Sequence, residues 1–433
     1  MGRQKQAAIA LSNDWTPPQR LAFRLGVVYL ALFCLVTQIS GSLIPNPWVP
    51  YRDLGRLWPV REITHWVGRT VFGIDVPLDD VSSGETLFFW IQWSWIIAAA
   101  GVAALASSLM ARRRDYASWL PWCGLAVRVA LAASMIEYGM TKVIPTQFPA
   151  PPLTALVTPA GDMSLSALLW TTIGSAPAYE IVTGCVEVLA GVLLLLPRTV
   201  TLGALLALAS LTQVLLLNLT FDIGVKLVTT HLVVLAVILL VPTARLFAVW
   251  VGFRSEMLAI GADPRSRRPF TSRPAIAAQL LLAVYLLGMQ TWINWSFWQV
   301  GGGGRPKSVL YGIWNVERLT VDGQVRPPES HDYDRRWRRV IFDEPEAVVI
   351  QRTDDSFARY GASIDRGSGT IVLVKGTSLT WTSHLTYDRA ADDRLSLDGD
   401  MDGHRIQAEL KRVDRSAFPL LNSSFRWIRP HDP

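Results

Sequence analysis

Ionisable side chains inside apolar stretches are costly, about 2.5–3.5 kcal/mol each at the centre of a membrane helix, so each needs a partner or a polar cavity. Here they are clustered rather than scattered. Arg128, Glu137, Tyr138 and Lys142 fall in one apolar run, Glu180 and Glu187 in the next. Gln213 and Asn218 close a third, and Asp222, Lys226 and His231 open a fourth. With a rise of about 1.5 Å per residue, Glu137 lies roughly 9 Å from the outer end of its helix and Lys142 near the surface. By the same measure Glu187 and His231 both fall roughly 13–17 Å down, near the midplane, where two groups on different helices can meet.

Helical phase sharpens this pattern. Glu180, Gly184, Glu187 and Gly191 share one stripe, and the glycines let another helix come close beside the carboxylates. Asp222 and Lys226, four residues apart, can pair locally. Arg128, Tyr138 and Lys142 share a face, and Glu137 points to the other side. Together the four runs can enclose a polar pocket. Each residue also has a plainer use. Glu180, Lys142, Asp222 and Lys226 can cap or snorkel at an interface. His231 can bond a neighbouring carbonyl, and Glu187 can form a structural ion pair with Arg128 or Lys226. Nothing has metal-ligand spacing, a phosphate loop or a nucleophile triad, and Cys34, Cys123 and Cys185 sit in apolar runs with no CxxC spacing.

The elements that carry these residues are membrane spans. The chain has 433 residues, half of them hydrophobic and only 18% charged, a composition wrong for a soluble enzyme of this size. About seven runs are long enough to cross a bilayer, centred on 21–41, 86–110, 120–143, 176–196, 199–219, 225–247 and 275–297. The net charge of +6 comes from arginines that flank these runs, which reads as a topology signal and not as a nucleic-acid surface. Arg3, Lys5, Arg20, Arg24, Arg112 to Arg114, Arg198 and the stretch Arg265 to Arg273 fall on one side, assigned as cytoplasmic. Loop 45–84 then lies outside despite Arg52, Arg56, Arg61 and Arg69; its amphipathic stretch "PVREITHWVGRTVFGID" suits an interfacial helix. The tryptophans near span ends (Trp90, Trp93, Trp95, Trp119, Trp122, Trp292, Trp295 and Trp298) suit interfacial belts.

After "GGGGRP", a flexible linker by composition, the pattern changes to short alternating runs separated by turn residues, from "SVLYGIWNVERLTVDG" to "SSFRWIRP". This predicts an antiparallel barrel or sandwich of about eight strands. The expected organisation is a cytoplasmic segment 1–20, two spans and an external loop in 21–119, a four-helix core in 120–248, a basic loop and last span in 249–300, the linker 301–307 and an external β-domain 308–433.

The stretch "IEYGMTKVIPTQFPAPP" and the run from Leu168 to Pro242 resemble the DoxX-like family of bacterial integral membrane proteins. The family pattern of an arginine and "G..K" in one helix, a glutamate with glycines in the next, and a "PR" turn maps to Arg128, Gly139, Lys142, Glu187, Gly191 and Arg198. The resemblance covers roughly residues 120–248. It implies a four-helix core in a bacterial inner membrane, and a link to quinone-coupled sulfur or thiol oxidation. In that role Glu187, His231 and Glu137 would carry protons to a quinone, and Arg128, Tyr138, Lys142, Glu180, Gln213, Asn218, Asp222 and Lys226 would line its site. In "YGIW", Gly312 and Trp314 resemble the start of lipocalin-like barrels, where the tryptophan plugs one end and a later arginine, here Arg412, stacks on it. Such a periplasmic barrel would take a lipid or small apolar ligand, or be filled and dock a protein partner. The competing expectation is a non-catalytic membrane scaffold or lipid-binding protein.

Overall fold

The computed structural model describes residues 15–48, 53–76, 86–110, 116, 118–250, 270–327, 336–376, 378–422 and 427, with the side chains of 242–250 and 378–380 left aside. Arg3, Lys5, Arg52, Arg112 to Arg114, most of the basic stretch after Arg265 and, apart from Trp427, "SSFRWIRP" lie outside the described residues. The chain forms two compact units, Met1–Gln147 with Ala178–Ser296, and Phe148–Pro177 with Phe297–Pro433.

The first unit is a helical bundle. Six described helices are long and apolar enough to cross a membrane: α1 (Pro17–Val36), α4 (Leu87–Met110), α5 (Leu120–Val143), α7 (Pro177–Leu195), α8 (Val200–Thr220) and α10 (Arg273–Val300). The remaining expected span is α9 (Lys226–Trp250), helical over 25 residues with side chains described as far as Val241. The first span ends earlier than its hydropathy suggests. The chain leaves the helix at Thr37 and resumes as a short helix, α2 (Ile39–Leu43). Serines and Thr37 there bond to backbone carbonyls, which competes with helix continuation. Loop 45–84 contains the expected amphipathic helix as α3 (Val60–Val67).

The second unit is built on a closed antiparallel barrel. Its strands are β1 (Gly312–Val321), β2 (Gln324–Val325), β3 (Trp337–Phe342), β4 (Ala347–Arg352), β5 (Phe357–Asp365), β6 (Thr370–Lys375), β7 (Ser378–Ala391), β8 (Arg394–Met401) and β9 (His404–Arg412). Neighbours pair in sequence, and β1 closes onto β9 from Trp314 opposite Arg412 to Val321 opposite Ile406. The two-residue β2 only extends the end of β1, so eight strands make the barrel. Two "DG" pairs explain two of the hairpins. Asp322–Gly323 and Asp402–Gly403 all have positive φ, between 50° and 78°, the conformation a tight hairpin of right-handed twist requires.

The barrel is filled. Trp314, Val316, Leu319 and Val321 of β1 point into a core with Phe342, Ile350, Leu373, Leu385 and Leu397. The cavity left among Trp337, Phe342, Ile371 and their neighbours is about 10 Å³, far below the roughly 300 Å³ of a small ligand site. Of the two expected forms, calyx and filled barrel, the sequence takes the second. Trp314 is buried with its indole N–H on the Leu310 carbonyl at 2.9 Å. Arg412 lies beside it: a Cβ on Gly312 would stand 3.0 Å from the guanidinium and 3.5 Å from the Trp314 nitrogen. The glycine run expected as a flexible linker is an ordered turn around Trp298, whose ring would meet a Cβ on Gly304 at 2.5 Å.

Segment 148–177, which contains the helix α6 (Leu165–Gly174), belongs to this unit, and its first part lies on the barrel's outer wall. Leu153 is buried against Ile313, Ile341 and Val349. Its backbone N–H bonds Asp343 at 2.8 Å, and Gln351 bonds the Val157 carbonyl at 3.3 Å. Asp343 is held in turn by Arg305 at 2.6 Å.

Candidate functional site

The stripe of glycines in α7 does bring a helix close, and that helix is α5. A Cβ on Gly184 would lie 2.7 Å from the Gly139 carbonyl oxygen, and one on Gly139 would lie 2.8 Å from that of Gly184. Two turns on, a Cβ on Gly191 would reach the Ala132 carbonyl at 2.8 Å. Backbones this close require small residues on both helices.

That approach creates the buried centre of the bundle. Lys142 Nζ and Glu187 Oε2 stand 2.6 Å apart, with the two residues only 6% and 2% exposed. The second carboxylate oxygen, Oε1, accepts from the Ser210 hydroxyl of α8 at 3.1 Å. Lys142 also donates to the Tyr138 carbonyl at 3.3 Å and lies 6.0 Å from the Tyr138 ring centre. Helices α5, α7 and α8 therefore each supply part of one charged cluster. Depth counting along its own helix places Lys142 near the outer end of the span, and there it is nevertheless buried, because the end of α5 is covered by the glycine face of α7. The partner of Glu187 is neither Arg128 nor Lys226.

His231 belongs to another network. Its Nδ1 bonds the Leu227 carbonyl at 2.7 Å, leaving Nε2 to accept from the Tyr29 hydroxyl. Tyr29 accepts from the Trp93 indole at 2.8 Å, and the His231 ring stacks on Phe33 at 3.6 Å. The expected meeting of Glu187 with His231 is thus corrected: equal depth says nothing of rotation, and α9 turns His231 towards α1 and α4. Trp93 is tied into this chain through its indole, whereas Trp90, Trp119, Trp122, Trp292 and Trp295 are exposed.

The other candidates are dispersed. Arg128 donates to Gln279 of α10 and is 14 residues, or about 21 Å, along α5 from Lys142. Glu137 accepts from Ser42, and the Tyr138 hydroxyl from Gln38, both on or beside α2. Glu180 is buried in the first turn of α7. Gln213 bonds Tyr179 at 2.8 Å on the exposed side, and Asn218 bonds Thr229 at 3.0 Å. Asp222 and Lys226 pair at 2.7 Å as their spacing predicts. Residues passed over by sequence reasoning are Ser210, Gln279, Tyr29, Gln38 and Ser42. Their signal was weak: single neutral polar groups within apolar runs.

A bundle of apolar helices with one buried Lys–Glu cluster, followed by a filled antiparallel barrel, defines a membrane protein with an appended β-domain. No family model matches the chain, and no solved structure matches it. It is 38% identical to the uncharacterized protein YwoB of Bacillus subtilis (strain 168) over 149 residues, 34% of this chain and 87% of that protein. The chain therefore belongs to the same family as YwoB.

Proposed function

We propose that this is a DoxX-like protein of a bacterial inner membrane, with its N-terminus cytoplasmic and its barrel periplasmic, whose bundle handles a quinone or a similar lipophilic carbonyl compound at the Lys142–Glu187 cluster. The observation that carries this reading is the burial of that ion pair. In a low-dielectric interior an ion pair regains little of its desolvation cost, and hydrophobic replacements are often neutral or stabilising, so stability alone is a poor reason to keep it. Its donors suit a ligand carbonyl. Two of the ammonium's three hydrogens go to Glu187 and the Tyr138 carbonyl. The third is what a carbonyl oxygen would accept, and Glu187, steadied by Ser210, balances the charge and supplies a site for the proton.

The test is extraction and mass spectrometry of small molecules that co-purify with the full chain. A quinone present in the wild type and reduced at least tenfold in Lys142→Gln and Glu187→Gln is the expected result. Equal quinone content in all three, or none in the wild type after growth in a quinone-replete host, overturns the proposal. The filled barrel favours a second reading of that domain, as a docking module for a periplasmic protein and not a carrier of lipid.

A further inference from the structure

Segment 53–76 is fixed to the bundle by one face and presents the other. Thr64, His65 and Val67 are buried. The Thr64 hydroxyl accepts from the Trp95 indole at 3.0 Å, the His65 ring lies 5.8 Å from Phe88, and Val67 packs with Phe88, Ile91 and Val76. Arg56 is pinned as well, 5.2 Å over the Phe89 ring and 3.3 Å from Asp53. Two glycines let the segment sit this close: a Cβ on Gly55 would stand 2.4 Å from the Val36 carbonyl, and one on Gly68 would stand 2.9 Å from Val76. The opposite face carries Trp58, Ile63, Trp66, Val71 and Phe72, all exposed, Trp58 by 78% and Trp66 by 61%.

An apolar face of this size is costly in water, and two bulky indoles beside arginines have one natural environment. The spanning helix it is bolted to exposes apolar side chains of its own, among them Trp90 and Ile97 of α4. Arg69 is exposed beside it, and Arg61, paired with Glu62 at 2.8 Å, stands on the neighbouring flank. We infer that residues 58–72 form a membrane-interface foot: Trp58, Ile63, Trp66, Val71 and Phe72 enter the acyl boundary, and Arg61 and Arg69 hold the phosphates of anionic phospholipids. The occupant is the bilayer itself. The foot keeps the outer ends of α1 and α4 at a set depth, and it gives Arg61 and Arg69 a reason to be there that does not depend on cytoplasmic retention.

The test uses the full chain with Cys34, Cys123 and Cys185 replaced by serine, in vesicles of phosphatidylcholine with and without phosphatidylglycerol. A fluorophore on Ile63→Cys, Trp66→Cys or Phe72→Cys is expected to be quenched at least fivefold more by doxyl-labelled lipid than by aqueous iodide. All these sites are partly or fully exposed, so labelling does not intrude on the core. Native mass spectrometry of Arg61→Gln/Arg69→Gln is expected to show at least a twofold loss of retained phosphatidylglycerol. Iodide quenching at 63, 66 and 72 overturns the inference. Protection from both quenchers with cross-linking between two chains also overturns it, in favour of a protein interface. Unchanged phosphatidylglycerol retention removes the arginines from the role.

Discussion

The bundle and the barrel handle charge in opposite ways. In the barrel every inward side chain named in its core is hydrophobic or aromatic, and the ion pairs lie outside, as with Arg394–Glu317 at 2.8 Å and Lys375–Asp402 at 2.9 Å. In the bundle a lysine and a glutamate meet at 2.6 Å between three helices whose other faces are apolar. Exposed pairs are worth about 0–1 kcal/mol and can be exchanged freely. A buried pair commits both partners, because loss of either leaves an uncompensated charge. The barrel is therefore organised for stability, and the bundle keeps a feature that stability alone does not favour.

That contrast can be broken at three points. The largest effect is expected at Glu187→Leu, which strands the Lys142 ammonium and should destabilise the bundle by about 3–5 kcal/mol. Lys142→Met/Glu187→Leu should recover most of that loss while abolishing ligand retention. Thermal unfolding in a fixed detergent checks both, and a double variant as unstable as the single would make the pair structural. Next, Leu373→Ala should cost about 2–5 kcal/mol, because the filled core has no ligand space to collapse into. Proteolysis or denaturant unfolding of the β-domain within the intact chain measures it. A near-zero cost would mean that the barrel breathes like a calyx.

The smallest effect concerns Asp402. Burial alone would raise its carboxyl pKa, but hydrogen bonds from the Lys375 ammonium and the Trp381 indole, and the nearby charges of Lys375 and His404, outweigh it and hold the group below the ordinary value. A depressed folded pKa contributes stability above the unfolded carboxylate value, and that contribution is lost as pH falls through the folded one. Asp402→Asn should therefore lower stability by about 1 kcal/mol or less at pH 7 and by progressively less towards pH 3. Paired melts of variant and wild type across that range check the sign.

Much of this architecture was legible in the sequence because it is written in local periodicity. Apolar runs located the spans to within a few residues, and period-two alternation broken by turn residues located the strands. The glycine stripe of Gly184 and Gly191 was legible too, since a Cβ at either position has nowhere to go. Partner identity was not. Lys142 and Glu187 lie 45 residues apart, and which helix faces which depends on rotation and relative height that no single run encodes. His231 shows the same limit, matched in depth to Glu187 yet turned to Tyr29. Segment 148–177 left no periodic trace of its place on the barrel wall, because its hold rests on three nearby apolar residues, Leu153, Leu156 and Val157, and two hydrogen bonds.

The seat of Leu153 has a consequence for how the β-domain is made. The strap is synthesised more than 130 residues before the wall it covers, at Ile313, Ile341 and Val349, so it waits through the translation of three helices and the last span. A fragment starting at the glycine turn would expose that apolar wall, and its poor solubility would reflect a missing piece of its own domain and not a failure of the barrel to fold. The useful expression unit is the strap joined to residues 297–433, a circular rearrangement in which the earlier segment follows the later one.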